Sequence, residues 1–241
     1  MKVILNSISG FDDAIEAMYF SKRTWTPELH KTVKEICDTV LRRDGSFRPC
    51  TAKEKSDKFN MWLDMICRMT VNHITIGKFI DFSFTVEGLH RGGQDDWDSH
   101  AERFDNRIIR SSTRLAKFGA EKSDYYKEKI MTTDEVLKNI LSIETPDEIE
   151  YNGNTYVKTV NGYIQKNYEN SNDVRRGLYM LSIPSNFIFK VNLTQFAHVY
   201  KERNNSSRAN PEVKECAEKC LALLNESYPQ FNRELMLKIK N

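Results

Sequence analysis

The chain has 241 residues, of which 39% are hydrophobic and 11% aromatic, so residues 1–241 can bury the core of a single domain. The 36 basic and 34 acidic residues give a net charge of +2, without the strong basic excess of a dedicated nucleic-acid binder. The first apolar run is too short for a signal peptide, and no later run approaches the roughly 18 residues of a membrane span. We therefore expect a soluble, cytoplasmic protein.

The five cysteines include no CxxC pair, which argues against a disulfide framework and against a zinc ribbon. Cys216 and Cys220 lie four residues apart on an expected helix, but no His or carboxylate set with metal-site spacing is near them. We therefore expect reduced, buried thiols and no metal site.

The first third of the chain predicts one strand and three helices. The opening run favours a strand, and three later segments repeat apolar residues at helical spacing. The first helix follows an Asp that can cap it, and the second has Thr26 as its cap and Pro27 in its first turn. The segments are 3–5 for the strand, 11–20, 27–41 and 59–69 for the helices, and 45–57 for a polar loop.

In the middle of the chain, an alternating segment precedes a highly charged one. Residues 80–86 alternate apolar and polar side chains, as a half-buried strand requires. Phe82, Phe84 and Val86 should therefore face one way. Residues 89–115 are dense in charge and contain two adjacent glycines, so we interpret them as too polar for the core.

The last part of the chain combines turn signals with helical patterns. Asn152-Gly153 and Asn161-Gly162 lie between β-favouring residues, which predicts a small meander as a hairpin insertion near 148–165. Three further segments are a helix from about Asp173, an extended or helical apolar stretch at 187–199, and a closing helix at 211–224.

Two charged series within 89–115 have alternative interpretations. Asp95, Asp96 and Asp98 could coordinate Mg²⁺ or accept hydrogen bonds from an exocyclic amine, although such a run is more often a solvated loop. Four arginines at spacings of three or four would share one helix face and could bind nucleic acid, but the near-neutral charge and sparse aromatic residues argue against it. These are Arg103, Arg107, Arg110 and Arg114.

Three segments in order resemble the flavin-dependent thymidylate synthase family. Residues 72–91, NHITIGKFIDFSFTVEGLHR, are similar to the family's Gly-His-x-Ser/Thr segment, Phe-x-Phe strand and Gly-x-x-Arg. Residues 175–181, RRGLYML, are similar to Ala-Arg-x-x-Leu-Pro-Leu. Residues 187–192, FIFKVN, with Arg203 eleven positions later, are similar to Phe-x-Trp-x-Val-Asn and Leu-Arg, and 208–213, RANPEV, to His-Ala-Gln-x-Glu-Ile.

The family's signature, Arg-His-Arg-x-x-Ser-x-Asn-x-x-Ser-x-Arg, has diverged here. Residues 99–111 read SHAERFDNRIIRS, which keeps His100 and Asn106 but not the two arginines around the histidine. A three-residue insertion would place Ser112 and Arg114 on the terminal Ser-x-Arg. Asp96 stands where the family has a glutamine, four residues before the histidine.

The resemblance implies an α+β fold with a central antiparallel sheet flanked by helices, assembled as a homotetramer with sites between subunits. It implies binding of FAD and of a pyrimidine deoxynucleoside monophosphate. The implied FAD contacts are His73, Thr75, His100, Asn106, Asn192 and His198. The implied substrate contacts are Asp96, Ser112, Arg114, Arg176 and Arg203, the last also as a catalytic residue.

The implied activity is FAD-dependent transfer of a one-carbon unit from methylenetetrahydrofolate to C5 of dUMP, with NADPH as a further co-substrate and no enzyme thiol attacking the base. The diverged signature leaves two alternatives, an enzyme that uses dCMP or hydroxymethylates the base, and a non-catalytic nucleotide-binding or structural relative. A carboxylate at Asp96 would favour the amino group of cytosine over the carbonyl of uracil. Cys50, in Arg48-Pro49-Cys50-Thr51, faintly resembles the nucleophile loop of the unrelated thymidylate synthase class, whose other motifs are missing.

Overall fold

The computed structural model of the protein describes residues 1–48, 52–99, 107–111, 122–159, 161–171, 177–178, 181–205 and 209–240. In these ranges, two antiparallel sheets are accompanied by helices, which confirms the predicted α+β class. The strands are β1 Lys2–Ser9, β2 Asp81–His90, β3 Arg107–Arg110, β4 Glu148–Tyr151, β5 Asn154–Thr159, β6 Gly162–Gln165 and β7 Pro184–Asn192. The helices are α1 Phe11–Ser21, α2 Pro27–Val40, α3 Lys53–Thr70, α4 Ile74–Gly77, α5 Arg91–Ser99, α6 Thr133–Asn139, α7 Leu193–Asn205, α8 Pro211–Ser227 and α9 Arg233–Lys238.

The larger sheet has the strand order β1-β2-β7-β3, and its inner face forms the centre of the core. Phe82, Phe84 and Val86 are fully buried on one face of β2, as the alternation predicts. The ring of Phe84 stacks on Phe189 of β7 with centroids 5.2 Å apart. Helices α1, α2, α3, α7, α8 and α9 contribute most of the other core side chains, so the sheet is covered on this face.

The N-terminal helices follow their predicted positions, with one difference in capping. Thr26 accepts a hydrogen bond from the Leu29 amide at 3.1 Å and caps α2, as predicted. No Asp side chain caps α1, because its N-cap is Gly10, at φ +84°, and Asp12 and Asp13 lie in the first turn. The glycine is required because a Cβ there would overlap the Phe79 carbonyl. Helix α3 begins at Lys53, inside the expected 45–57 loop.

The charged segment at 89–115 is not excluded from the core, contrary to the sequence interpretation. Strand β2 continues through a register shift to His90 and leads directly into α5. Leu89, His90, Gln94 and Trp97 are all buried there. In the described part of this segment, Arg107 and Arg110 pair with carboxylates, while Leu89 and Trp97 are buried in the core, so average polarity is a poor guide to burial here.

Arg107 and Arg110 do not share a helix face, because both lie on strand β3. Side chains alternate along a strand, so residues three apart point to opposite sides. Arg107 binds Asp81 through two hydrogen bonds of 2.8 and 2.7 Å, whereas Arg110 binds the acidic residues of α5. This arrangement contradicts the proposed helical arginine surface; Arg103 and Arg114 lie outside the described residues.

The second sheet is the predicted meander, with the order β4-β5-β6. Asn152-Gly153 forms the first turn as predicted, whereas Gly162 is already the first residue of β6 and pairs with Thr159, so the second Asn-Gly pair spans the start of that strand. Asn152 and Gly153 both have positive φ, as a tight hairpin turn requires. Strand β7, helix α7 and helix α8 occupy the predicted apolar stretch and closing helix. The expected helix from Asp173 begins in residues outside the described ranges.

Candidate functional site

Arg203 is a buried cation held against helix α5. It lies in the last turn of α7 with 6% of its surface exposed. Its guanidinium donates a hydrogen bond to the main-chain carbonyl of Asp96. Burial lowers the pKa of Arg203, and the negative charges of Asp96 and Glu202 only partly counter this effect. The arrangement presents one nearly desolvated guanidinium where α5 and α7 meet.

Helix α5 is fixed by charge pairs rather than forming a solvated loop. The Arg110 guanidinium donates to Asp95 at 2.6 Å and also to Asp98. The Asp96 side chain is exposed on the same helix. Two of the three acidic residues considered for Mg²⁺ are therefore neutralised by an arginine, and in the described ranges no group of three or more His, Cys, Asp or Glu side chains is placed to hold a metal ion.

Gln94 is a polar residue of this region that the sequence interpretation missed. It is fully buried, and its Oε1 accepts from Ser185 Oγ at 2.7 Å and from Arg91 at 3.2 Å. Its Nε2 has no hydrogen-bond partner within the described part of the chain. The amide thus has an unused donor two positions before Asp96, the residue that the sequence comparison had placed on the family's glutamine.

His90 and Glu212 form a second buried polar contact that the sequence did not indicate. His90 ends β2, Glu212 lies in the first turn of α8, and their side chains are 5% and 3% exposed. The His90 Nδ1 atom is hydrogen-bonded to a Glu212 carboxylate oxygen. The two residues are 122 positions apart, so spacing alone could not reveal their contact.

Asn192 has a clear structural role at the start of α7. Its Oδ1 accepts from the Gln195 amide at 2.9 Å, and the Gln195 side chain accepts from the Asn192 amide at 3.2 Å. This reciprocal pair satisfies two main-chain donors at the helix start. Because Asn192 is 3% exposed, its expected FAD contact would have to coexist with this cap.

His73 and Thr75 lie at an exposed position that borders a large groove. They flank the start of α4, whose Ile74 carbonyl accepts from Thr194 of α7 at 2.7 Å. The groove has a volume of about 1070 Å³ and is also lined by Phe20 and Trp25. Helix α4 is therefore joined to the helix that carries His198 and Arg203 and that Asn192 precedes.

The described residues bring together only part of the expected site. Helix α7 and its start carry three of the expected residues, and α4 packs against that start. His198 is half-buried on α7. Five expected residues lie outside the described ranges, namely His100, Asn106, Ser112, Arg114 and Arg176.

Within the ranges that the structure describes, no helix combines the length and apolar character needed to cross a membrane. A search of curated protein sequences gave no match. The solved structures that this chain resembles include two crystal structures from Helicobacter pylori, one of thymidylate synthase X and one of flavin-dependent thymidylate synthase, both with FAD and dUMP.

The first structure is 11% identical with a TM-score of 0.51 and covers 98% of this chain and 100% of its own. The second is 13% identical with a TM-score of 0.52, and each chain is covered over 100% of its length. At these identities the likeness establishes the fold. The family model of thymidylate synthase complementing proteins matches residues 24–230, most of the chain. The chain therefore belongs to the thymidylate synthase complementing protein family.

Proposed function

We propose that the protein is a flavin-dependent thymidylate synthase, which transfers a one-carbon unit from methylenetetrahydrofolate to C5 of dUMP. The observation that carries this proposal is the buried guanidinium of Arg203, at the α5–α7 junction of a chain whose residues 24–230 match the family. The Helicobacter pylori structures with the same fold contain FAD and dUMP, which supports the choice of cofactor and substrate.

The proposed role of Arg203 is to hold the pyrimidine. A guanidinium that has lost most of its water interacts more strongly with a polar ligand than a solvated one does. The hydrogen bond to the Asp96 carbonyl uses one N–H group of the guanidinium and fixes the orientation of the guanidinium plane. Arg114 and Arg176 are proposed to bind the phosphate, because planar guanidinium groups bind phosphate oxygens in bidentate fashion, and Ser112 is proposed to assist them.

The chemistry of the groove beside α4 fits an aromatic cofactor. Phe20 and Phe79 expose 69% and 44% of their surfaces, and Trp25 exposes 37%, so the groove offers apolar faces to a planar ring. His73 and Thr75 supply polar groups at its edge. They are proposed to contact FAD together with His100, Asn106, Asn192 and His198. Bound FAD, reduced by NADPH, would supply the hydride in this reaction.

A homotetramer is also proposed, as in the family resemblance. Ile109 of β3 and Ile188 of β7 are cross-strand neighbours and expose 78% and 51% of their surfaces on the outer side of the large sheet. A pair of exposed isoleucines on an open sheet face is favourable for contact with another subunit. Light scattering coupled to gel filtration would measure the assembly.

A second candidate function is the same transfer to dCMP, or hydroxymethylation of the base. The observation that favours it is the exposed Asp96 carboxylate beside the Arg203 contact. A carboxylate can accept a hydrogen bond from the cytosine amino group but repels the uracil carbonyl. The third alternative, a relative that binds nucleotide without catalysis, would lack turnover with either base.

The test begins with the absorbance of the purified protein, where bound oxidised flavin is expected. The protein is then incubated with methylenetetrahydrofolate, NADPH and either dUMP or dCMP, and the product masses are measured. A methylated dUMP product is expected. Product from dCMP alone would favour the second candidate, and nucleotide binding without flavin or product would favour the non-catalytic relative.

A further inference from the structure

Four polar side chains meet where the end of β2 contacts the start of α8. Besides the bond between His90 and Glu212, the Tyr126 hydroxyl lies 3.5 Å from His90 Nε2, and the two rings pack edge to face with centroids 4.9 Å apart. Asn210, the N-cap of α8, places its Nδ2 atom 3.3 Å from His90 Nε2 and 3.2 Å from the Tyr126 hydroxyl. The imidazole therefore has a carboxylate on one side and a phenol on the other.

The amide of Asn210 determines which ring nitrogen of His90 carries the proton. Its Oδ1 accepts from the Glu212 main-chain amide at 3.0 Å, so the NH₂ group must face His90. An NH₂ group only donates, so the Nε2 atom that it approaches is an acceptor without a hydrogen. The proton of a neutral imidazole is then on Nδ1, where it is donated to the carboxylate of Glu212.

The position of Glu212 explains how a buried carboxylate is tolerated. It lies in the first turn of α8, where the helix dipole favours negative charge. The main-chain amide of His90 also donates to the same carboxylate oxygen, at 3.3 Å. With His90 neutral, the pair has one net negative charge, and a proton added to Nε2 would cancel it. The acceptor atom Nε2 faces the Tyr126 hydroxyl, so that side of the ring is where the pair can receive a proton.

We propose that Glu212, His90 and Tyr126 form a proton-accepting relay with the Tyr126 hydroxyl as its outer group. The inference rests on the proposed function, because replacing the hydrogen at C5 by a one-carbon unit releases one proton. In the proposed step, the C5–H bond breaks and its electron pair stays with the pyrimidine ring. The proton passes to the Tyr126 oxygen as the hydroxyl proton passes to His90 Nε2. The resulting imidazolium is paired with Glu212, and no electrons are transferred to the protein.

The relay is built on the elements that also position Arg203. His90 immediately precedes α5, and the backbone at Gly93 packs so closely on the imidazole that a Cβ would overlap the ring. Three residues further along α5, the Asp96 carbonyl accepts from Arg203. Glu212 lies in the first turn of α8, the helix that follows α7 in the chain. Of the three residues of the relay, His90 and Glu212 are buried and Tyr126 is half-buried. Tyr126 is therefore the member through which a proton can enter.

The protonation pattern can be tested without turnover. In the full-length protein labelled with ¹⁵N-histidine, the His90 signals are assigned by their loss in His90→Gln. At neutral pH, we expect a protonated Nδ1 and an unprotonated Nε2, and the Nδ1 proton should shift upfield in Glu212→Gln. A protonated Nε2 in the wild-type protein would overturn the relay, whatever the protein's activity.

Proton removal is tested by tritium release from dUMP labelled at C5. Tyr126→Phe is expected to lower the release rate about 100-fold while FAD and dUMP binding stay unchanged. Tyr125→Phe is the matched control, since Tyr125 packs on Tyr126 with centroids 5.0 Å apart but is not a member of the relay. Equal rates in the two variants would overturn the relay. A wild-type protein that binds neither FAD nor dUMP would instead contradict the proposed function, and the nitrogen spectra would still decide the protonation pattern.

Discussion

The guanidinium of Arg203 is bonded to the main-chain carbonyl of Asp96, so the side chain at position 96 can change while the acceptor remains. Arg203→Ala leaves a part-buried carbonyl without this donor, and we expect it to lower the free energy of unfolding by about 1–3 kcal/mol. It should also weaken dUMP binding strongly. Denaturant unfolding and calorimetric titration measure the two effects.

Asp96→Ala is the control for this contact. It preserves the carbonyl, so we expect a stability change of less than about 0.5 kcal/mol, typical of an exposed position. If Asp96 sets the choice of base, the same variant should lose any preference for dCMP. Equal destabilisation by both variants would show that the main-chain contact does not stabilise the α5–α7 junction.

Asn192 is expected to have two separable roles. Asn192→Ala removes the cap of α7 and should cost about 1 kcal/mol. Asn192→Asp keeps an oxygen that can accept from Gln195 but has no amide N–H to donate. If the Asn192 amide donates to FAD, the Asp variant should remain stable and bind FAD more weakly. Unchanged FAD affinity in the Asp variant would limit Asn192 to its capping role.

The parts of the fold that the sequence predicted correctly depend on local signals. Thr26 and Pro27 start a helix, Phe82 and Phe84 share one face of a strand, and Asn152-Gly153 turns a hairpin, each from information within a few residues. Residues 107–110 give no such signal. They form a strand because β7, about 80 positions later, offers an open edge that pairs Ile109 with Ile188.

The same distinction applies to the candidate site. The family resemblance predicted Arg203 and Asn192 as site residues by their order along the chain, and both lie on or beside α7. The contact between His90 and Glu212 joins positions 122 apart, and its partner Tyr126 belongs to neither strand nor helix. The adjacent glycines at 92 and 93 were the only local sequence feature related to this contact, because the ring of His90 occupies the space that a side chain at Gly93 would need.

Gly93 and Gly92 allow a direct comparison of that close packing. We expect Gly93→Ala to lower the free energy of unfolding by about 1–3 kcal/mol, because the added methyl overlaps the His90 ring. A Cβ at Gly92 would lie 3.4 Å from His90 Cδ2 and 3.4 Å from Leu181 Cβ, so Gly92→Ala should be better tolerated. Alanine favours helix over glycine at both positions. Similar unfolding midpoints for the two variants would contradict a tightly held ring.

Asp81 is expected to contribute to stability against acid. Burial alone would raise its pKa, but hydrogen bonds from Arg107 and Lys190 outweigh burial and lower it. The folded pKa is thus below the unfolded value of about 3.9, so the contribution is present above that value and is lost as pH falls through the folded pKa. Asp81→Asn should be less stable than wild type at pH 7, with a difference that shrinks below about pH 4.

Asp124→Asn is the control for Asp81. Lys127 also lowers the pKa of Asp124, but this side chain is 79% exposed and solvent screens the pair. We expect the stability of Asp124→Asn to differ from that of wild type by no measurable amount at either acid or neutral pH. A difference between Asp81→Asn and wild type that is independent of pH would show that the Asp81 carboxylate acts through packing rather than charge.

Catalysis without an enzyme thiol predicts that Cys50→Ala keeps full turnover. Burial raises the pKa of Cys37 and of Cys67 to about 12, and Cys216 and Cys220 are fully buried, so these thiols are poor nucleophiles at neutral pH. Mass spectrometry after iodoacetamide treatment should find these four cysteines unmodified in the native protein and modified after unfolding.

Cys50 lies outside the described residues and is the remaining thiol of the chain. If Cys50→Ala stays folded and binds FAD but yields no product, an attacking thiol would replace the flavin route.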